Sequence, residues 1–214
     1  MNPIIIRRKR ALLRWASAHG VSVPRSFRVN TPTMGQPARR LLRVFQAAHD
    51  LAPTGSWNSR TLAALYGRRR HIIRHHWHWA HPLVRRVGRP TYVVLHNAAA
   101  VSATPEDIHS WHLARDFAGI GYHLYIRKDG SIHQGRPLWA IGAHTLHWNT
   151  QIGICCEGNY ETERHMPPAQ LEALRWAIAY VRRRTGASVV RGHREMPGNA
   201  TDCPGRHFPL EAVR

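Results

Sequence analysis

The sequence has 214 residues, enough for one large domain or two small ones, and 43% of them are hydrophobic, enough to bury a substantial core. No stretch approaches the ~18 apolar residues of a membrane-spanning helix. The formal net charge is +19, and Lys9 and Lys128 are the only lysines, so almost all of the basic residues are arginines. This charge predicts attraction to an anionic polymer, and nucleic acid, acidic lipid headgroups and bacterial wall polymers all qualify.

The first 70 residues predict a small domain of three helices. Turn and helix-breaking residues separate three stretches whose apolar positions have helical spacing. The expected helices cover residues 10–19, 38–49 and 61–65. The apolar face of the second is expected to consist of Leu41, Val44, Phe45 and Ala48.

This segment resembles the peptidoglycan-binding domain of the three-helix type. The resemblance extends over residues 37–67 and rests on three short sequences. These are Phe-Gln-Ala-Ala-His-Asp-Leu at 45–51, Pro-Thr-Gly at 53–55 and Thr-Leu-Ala-Ala-Leu at 61–65. The family usually has an Asp-Gly-x-Phe-Gly turn in its first half, and residues 25–36 take its place here. The resemblance implies a wall-binding domain at residues 1–70, and a generic helical bundle is the alternative.

Residues 71–88 predict a basic linker. A run of three arginines at 68–70 precedes it, and its histidines are interleaved with Trp77 and Trp79. A histidine-rich tract can bind metal. A solvated linker that packs its tryptophans between two domains is the favoured interpretation, because no clear scaffold for a metal is visible.

From residue 89 onward, strand and helix signals mix, which predicts an α/β fold with a central mixed β-sheet flanked by helices. Strands are expected at residues 92–95, 122–126, 131–134, 152–156 and 189–190. One helix is expected to begin at Thr104, where a capping threonine precedes Pro105 and two acidic residues. Another is expected to begin at Pro167 and Pro168 and to end before Gly186.

Three residues suited to binding zinc lie at the ends of predicted strands or in a loop. His96 closes one strand, His193 follows another, and Cys203 lies ten residues later beside Pro204 and Gly205. Side chains at such places can converge at one edge of a sheet. Three protein ligands leave a fourth position for water, which is typical of a catalytic zinc site. The residues alone leave a structural role open, because the chain contains 17 histidines.

The other two cysteines, Cys155 and Cys156, are adjacent in an apolar run. We expect them to be buried as small hydrophobic residues rather than to belong to a disulfide framework.

Residues 90–205 resemble the zinc-dependent N-acetylmuramoyl-L-alanine amidase family, which includes phage T7 lysozyme and the animal peptidoglycan recognition proteins. Short segments occur in the family's order and at its spacing. They are Val-Val-Leu-His-Asn at 93–97, Gly-Tyr-His-Leu-Tyr-Ile at 121–126 with Asp-Gly at 129–130, Gly-Ala-His-Thr at 142–145, Trp-Asn at 148–149, Ile-Gly-Ile at 152–154, Gly-His-Arg-Glu at 192–195 and Thr-Asp-Cys-Pro-Gly at 201–205. The resemblance implies that His96, His193 and Cys203 bind Zn²⁺.

The resemblance also implies the catalytic roles. Tyr122 matches a tyrosine that faces the metal and assists the reaction. Thr201 stands where phage T7 lysozyme has a lysine, so either this hydroxyl or Tyr122 must supply the missing contribution. Cys155 stands where a branch that recycles wall fragments has a glutamate, and that branch has Asp in place of Cys203. Glu157, expected on the same strand face as Cys155, is a further candidate for a catalytic base.

The expected reaction is hydrolysis of the amide bond between N-acetylmuramic acid and L-alanine. Zinc lowers the pKa of water to about 7, which provides a nucleophile at neutral pH. The Tyr122 hydroxyl is expected to stabilise the oxyanion together with the metal. His144 and Asn149 are expected to bind the glycopeptide, and the alternative for His144 is a hydrogen-bonding role behind the metal ligands.

These features predict a modular phage endolysin, with a wall-binding domain at 1–70, a linker at 71–88 and a zinc amidase at 89–214. We expect a monomer that is made in the host cytoplasm without a signal peptide and acts on the cell wall, in the periplasm or outside the cell. Its basic surface is expected to bind anionic wall polymers or outer-membrane lipid.

Other functions are less well supported by the sequence. A non-catalytic recognition module would be marked by loss of Cys203, which is present. No specific binding of nucleic acid is expected, because no basic helix carries interleaved aromatic residues. A bacterial autolysin would normally need an export signal, and a D,D-peptidase would need a His-x-His pair after His193.

Overall fold

The computed structural model describes residues 3–66 and 71–214. The chain divides into two compact units, Met1–Arg69 and Arg70–Arg214. The predicted helix stop at Gly67 and the three arginines at 68–70 lie outside the described residues. Within the described part of the chain, no helix combines the length and the apolar character needed to cross a membrane.

The N-terminal unit contains the expected helices. They are α1 (Pro3–Ala18), α2 (Gln36–Ala48) and α3 (Ser59–Tyr66). Helix α1 begins well before residue 10, with a proline at its start, where the missing N–H has no helical partner to lose. The face predicted for α2 is wrong at Val44, which is 43% exposed, and at Ala48, which is also exposed, whereas Leu42 is fully buried. The buried face contains positions 38, 41, 42 and 45, which share one side of an α-helix.

Gln46 fixes the turn between α2 and α3. Its buried side-chain amide donates hydrogen bonds to the Ser56 carbonyl and the Thr61 hydroxyl, each over 3.0 Å. The Gly55 backbone N–H donates to its Oε1 over 2.8 Å. A buried amide is tolerated only when its polar atoms are paired, so this side chain specifies the turn as well as filling the core.

The C-terminal unit confirms the predicted α/β class. Its strands are β1 (Ile72–Ile73), β2 (Tyr92–Asn97), β3 (Leu124–Ile126), β4 (Ile132–Gln134), β5 (Ile152–Cys156) and β6 (Val189–Gly192). They form one sheet in the order β1-β4-β3-β5-β2-β6. The β3–β4 pair is antiparallel and joined by the expected hairpin, and the other pairs are parallel.

Helices cover both faces of this sheet, so its central strands are buried on both sides. Helix α5 (Pro168–Thr185) packs against one face, where Leu95 and Ile154 meet Leu174 and Ile178. Helix α4 (Pro105–Leu113) lies over the other face, together with the loop around Ile120. Cys155 and Cys156 are free and fully buried, as predicted.

The two helix starts follow local sequence signals. Thr104 caps α4, because its hydroxyl accepts from the Asp107 N–H over 3.1 Å and the Asp107 carboxylate accepts from the Thr104 N–H over 2.8 Å. Helix α5 begins at Pro168 and ends at Thr185, before Gly186, whose φ of 82° is a left-handed conformation that suits glycine.

The segment at 71–88 differs from the predicted solvated linker. Ile72 and Ile73 form strand β1 and pair with β4, in register with Ile132 and His133. The Trp77 indole donates to the Gln134 carbonyl over 2.8 Å, and its ring stacks on His109 at 4.5 Å between centroids. The segment therefore belongs to the C-terminal unit, because a strand partner and a packing surface distant in sequence are available to it.

Candidate active site

Strand register places two histidines at one edge of the sheet. Strand β2 lies between β5 and β6 and runs parallel to both. Leu95 is paired with Gly192, so the residues that follow them, His96 and His193, occur at the same carboxyl edge. His96 is paired with Cys155 of β5 and therefore lies on the sheet face that α4 covers.

Cys203 joins these histidines. One ligand atom from each of His96, His193 and Cys203 lies within 4.8 Å of the others. The distance from His96 Nδ1 to Cys203 Sγ is 3.7 Å. A tetrahedral zinc ion with ordinary bond lengths would hold such a nitrogen and sulfur about 3.6 Å apart. The donor types and this distance therefore fit zinc, with one coordination position left for water or substrate.

A chain of hydrogen bonds sets the tautomer of His96. His144 Nε2 lies 3.2 Å from the Gln151 carbonyl, which can only accept, so this nitrogen carries the proton. His144 Nδ1 is then the acceptor for His96 Nε2, at 3.1 Å. His96 Nδ1 is left unprotonated, with its lone pair available to a metal. Outer-shell partners of this kind orient metal-binding histidines.

Asn199 fixes the tautomer of His193 in the same way. Asn199 Oδ1 accepts from the Leu146 N–H over 3.0 Å, and Asn199 Nδ2 donates to the Leu146 carbonyl over 3.1 Å, so the orientation of the amide is fixed. The same Oδ1 lies 2.9 Å from His193 Nε2, which must therefore be the donor. His193 Nδ1 is left as the available ligand atom.

Burial keeps the histidines of the site neutral. It lowers the pKa of His96 and His144 well below the ordinary value, and the neighbouring imidazoles act in the same direction. The pKa of His193 is lowered by burial to a smaller extent. Neutral imidazole is the form that binds metal, so these residues are ready ligands at neutral pH.

The loop that carries Cys203 is tied to the end of β6. The Arg194 N–H donates to the Cys203 carbonyl over 2.7 Å, and the Cys203 N–H donates to the Thr201 hydroxyl over 3.2 Å. Burial raises the pKa of the Cys203 thiol to about 11, while the Asn97 N–H and Arg194 act against this. A thiol that coordinates a metal cation loses its proton, so binding of a cation would convert Cys203 to the thiolate.

Tyr122 lies beside the candidate metal ligands His96, His193 and Cys203, which we call the metal cluster. Its ring centroid is 5.1 Å from that of His96. Burial raises the pKa of its hydroxyl well above the ordinary value, and Cys155 and Cys203 add to the effect. Tyr122 is therefore a neutral phenol at physiological pH and can act as a hydrogen-bond donor.

The two residues predicted to bind the glycopeptide have internal partners. His144 is buried and occupies the hydrogen-bond chain behind His96. Its ring fills the space left by Gly153, where an added Cβ would lie 2.6 Å from it. Asn149 Oδ1 accepts from the backbone N–H groups of His144 and Thr145 at 2.7 and 3.0 Å. Both residues thus order the site, and the alternative interpretation of His144 is the better one.

Glu157 requires a correction. It follows β5 on the face of Cys155, as expected, but it is only 3% exposed and its carboxylate is surrounded by donors. These are the Lys128 N–H at 2.9 Å, the Ala103 N–H at 3.2 Å, the Ser102 hydroxyl at 3.1 Å and the Arg127 guanidinium at 3.3 Å. Burial raises the pKa of this carboxyl, but these donors outweigh it and hold the pKa below its ordinary value. We therefore assign Glu157 a structural role instead of a basic one.

Sequence reasoning missed Asn199 and the Gln151 carbonyl. Asn199 lies six residues after His193, in a Pro-Gly-Asn turn that resembles any surface turn. Its position beside a predicted metal ligand was the only available signal. A backbone carbonyl such as that of Gln151 has no sequence signal.

Comparison with known proteins identifies the family. Residues 86–206 match the family described as N-acetylmuramoyl-L-alanine amidase. The chain belongs to this family. The endolysins of Klebsiella phage KP32 and Escherichia phage T7 are each 30% identical to it. The matched regions cover 50% and 46% of this chain and 72% and 67% of those endolysins.

Solved structures of amidases and recognition proteins share the fold. The N-acetylmuramoyl-L-alanine amidase LysC from Clostridium intestinale is 35% identical, with a TM-score of 0.63, over 67% of this chain and 94% of that one. The Drosophila recognition protein PGRP-LB, solved in complex with tracheal cytotoxin, is 30% identical, with a TM-score of 0.54, over 61% of this chain and 83% of that one. The proteins to which this chain is similar thus include both endolysins and a recognition protein.

The structural role of Glu157 predicts a specific mutant phenotype. Glu157→Gln should lower the free energy of unfolding by about 1–3 kcal/mol, because buried N–H groups lose a charged acceptor. The folded-state pKa of Glu157 is depressed, so its contribution exists above pH about 4.3 and disappears as the pH falls through the folded value. The mutant's deficit in urea denaturation should therefore shrink on acidification.

The control for this measurement is Glu211→Gln, at a side chain that is 84% exposed, which should leave stability unchanged. A folded Glu157→Gln protein should also keep wild-type turnover. A stable but inactive Glu157→Gln protein would restore this residue as a catalytic base.

Proposed function

We propose that the protein is a zinc-dependent N-acetylmuramoyl-L-alanine amidase of the phage endolysin type, which hydrolyses the bond between N-acetylmuramic acid and L-alanine. The observation that carries the proposal is the convergence of three ligand atoms, from His96, His193 and Cys203, within 4.8 Å. The tautomers of both histidines direct their Nδ1 lone pairs to the ligand set, which is the arrangement a metal requires.

When bound, zinc would activate water at neutral pH and polarise the scissile carbonyl. The chain's own residues hold the ligands and the substrate carbonyl in place. Tyr122, kept neutral by burial, would donate a hydrogen bond to the oxyanion that develops on this carbonyl. Thr201 accepts from the Cys203 N–H, so its hydroxyl proton is free to reach the substrate or solvent.

The bond specificity and the metal are tested together on purified peptidoglycan. Digestion should release new L-alanine amino termini and no new reducing sugars. A chelator should abolish the release, and zinc should restore it. Cys203→Ser should lose both bound zinc, measured by elemental analysis, and turnover, because a hydroxyl is a poorer ligand than a thiolate.

Each other outcome of this experiment identifies a different function. New reducing ends would indicate a glycosidase. Full activity of a metal-free sample would exclude the zinc proposal. Tight binding of wall fragments without any cleavage would indicate a recognition module.

Tyr122→Phe tests the oxyanion donor. The variant should fold and bind zinc normally, because the ring and its contacts are retained. Its turnover should fall roughly 10²- to 10³-fold, the usual cost of losing one oxyanion donor. Initial rates on a soluble muropeptide and the zinc content measure the two effects. A wild-type rate in Tyr122→Phe would mean that Tyr122 is not the oxyanion donor and would leave Thr201 as the candidate.

The hydrogen-bond chain behind His96 is tested at His144. His144→Ala should weaken zinc binding about 10- to 100-fold, because His96 Nε2–H loses its acceptor. His144→Asn should recover part of this loss, since its Oδ1 can accept in place of Nδ1. Nitrogen chemical shifts should report a protonated Nε2 on His96 in the wild type. Equal zinc affinity in the wild type and His144→Ala would refute the positioning role.

We further propose that the N-terminal unit binds peptidoglycan and that the protein acts on the cell wall as a monomer, with its basic surface attracted to anionic wall polymer or outer-membrane lipid. The net charge of +19 supports the electrostatic part. The three helices and the buried Gln46 that orders the turn at 53–55 support a folded binding unit.

A fragment of residues 71–214 tests this division of labour. It retains β1 and all of the metal-cluster residues, so it should cleave soluble muropeptides at close to the full-length rate. On insoluble sacculi it should be slower, because the N-terminal unit would raise the local enzyme concentration. The deficit should grow at high salt, which screens the basic surface. Equal clearing of sacculi at every salt concentration would exclude wall targeting by the N-terminal unit.

A further inference from the structure

A second cavity lies away from the metal cluster in the C-terminal unit. Its volume is about 610 Å³, and it is bounded by the chain entering β2, the start of β3 and the C-terminal end of α5. Strand β2 has six residues, so its entry and its carboxyl end are about 17 Å apart. The metal cluster lies at the carboxyl end, and we call this second cavity the arginine pocket.

The arginine pocket concentrates positive charge. Its lining includes five arginines, and no aspartate or glutamate is among the lining residues. Among the described residues, none of these arginines takes part in an ion pair. The five are Arg74, Arg86, Arg89, Arg136 and Arg184.

Two of the arginines are held rigidly by backbone carbonyls. Arg136 is buried and donates to the Ile120 and Ile141 carbonyls over 3.0 and 2.8 Å. Arg86 donates to the Leu138 carbonyl, and its buried Nε has no partner among the described residues. Burial lowers the pKa of both guanidinium groups, as expected for charges without a neutralising carboxylate.

The other three arginines give the pocket an accessible rim. Arg74, Arg89 and Arg184 are exposed. The indole of Trp139 also lines the pocket and is 44% exposed. Buried and exposed guanidinium groups lining one cavity suit a phosphate, whose oxygens accept paired hydrogen bonds from arginine. The guanidinium of Arg85 lies over the Trp139 ring, 4.8 Å from its centroid, and the exposed part of the ring offers an apolar surface for the remainder of a ligand.

We propose that the arginine pocket binds a phosphorylated sugar, with the phosphate on the arginines and the sugar ring against Trp139. The choice of a phosphate group is argued from the arginines of the pocket alone. The choice of a sugar rests in part on the proposed function, because an enzyme acting at the cell envelope meets phosphate-bearing glycans there. A site of this kind would anchor the enzyme independently of catalysis.

The test uses the full-length protein and isothermal titration calorimetry with glucose 1-phosphate, inorganic phosphate and glucose as probes. Glucose 1-phosphate should bind more tightly than inorganic phosphate, and glucose should bind at least tenfold more weakly than its phosphate. The double variant Arg89→Ala/Arg184→Ala should weaken binding of glucose 1-phosphate at least tenfold. The matched control Arg164→Ala/Arg183→Ala removes the same charge from exposed positions outside the pocket and should change affinity less than twofold.

Two further measurements separate this site from the active site. Cys203→Ser should keep full affinity for glucose 1-phosphate, and Arg89→Ala/Arg184→Ala should keep wild-type turnover on a soluble muropeptide. If the protein proves to have no amidase activity but these binding results hold, the proposed function fails and the pocket stands.

The opposite results would overturn the proposal. Equal losses in the pocket variant and the control variant would reduce the effect to net charge. Equal affinity for phosphate and for glucose 1-phosphate would remove the sugar from the assignment. A single-stranded oligonucleotide that displaces glucose 1-phosphate and binds at least tenfold more tightly at the same ionic strength would assign the pocket to nucleic acid.

Discussion

Parallel pairing of β2 with β5 and β6 is the constraint on which the candidate active site depends. This register brings the carboxyl ends of β2 and β6 to one edge, and from these ends His96 and His193 emerge. Side chains alternate between the two faces of a strand, so a slip of one residue would turn His96 toward α5. The apolar contacts that α5 makes with Leu95 and Ile154 oppose such a slip. Packing of the core on one face of the sheet thereby fixes the position of His96 on the other face.

Close-packed polar groups then give the site its precision. His96, His144 and the Gln151 carbonyl form one hydrogen-bond chain, and His193 and Asn199 form another. Each chain ends on an acceptor whose role is unambiguous, so the proton positions follow without further assumption. Buried imidazoles without partners would be costly, whereas fully paired ones rigidify the site. The orientation of the two candidate metal-binding histidines thus depends on His144 and Asn199, which lie outside the ligand set.

The distribution of charge separates two regions of the C-terminal unit. The metal cluster is built from neutral imidazoles and a thiol, because burial disfavours the charged form of both groups. The arginine pocket instead holds guanidinium groups that no carboxylate neutralises among the described residues. The net charge of +19 is therefore not spread evenly over the protein. Part of it is organised around a cavity, and this arrangement favours recognition over general attraction to anions.

The resemblance of residues 90–205 to the amidase family supplied the candidate metal ligands. Local signals in the sequence determined the cap at Thr104, the end of α5 and the burial of Cys155 and Cys156. Each of these depends on neighbours within a few positions, where spacing and propensity act directly. The pairing of Ile72 with Ile132, the donors around Glu157 and the roles of His144 and Asn199 were decided by tertiary structure. Their partners are residues distant in the chain or backbone groups that every residue has. Residue type and spacing therefore cannot predict these contacts.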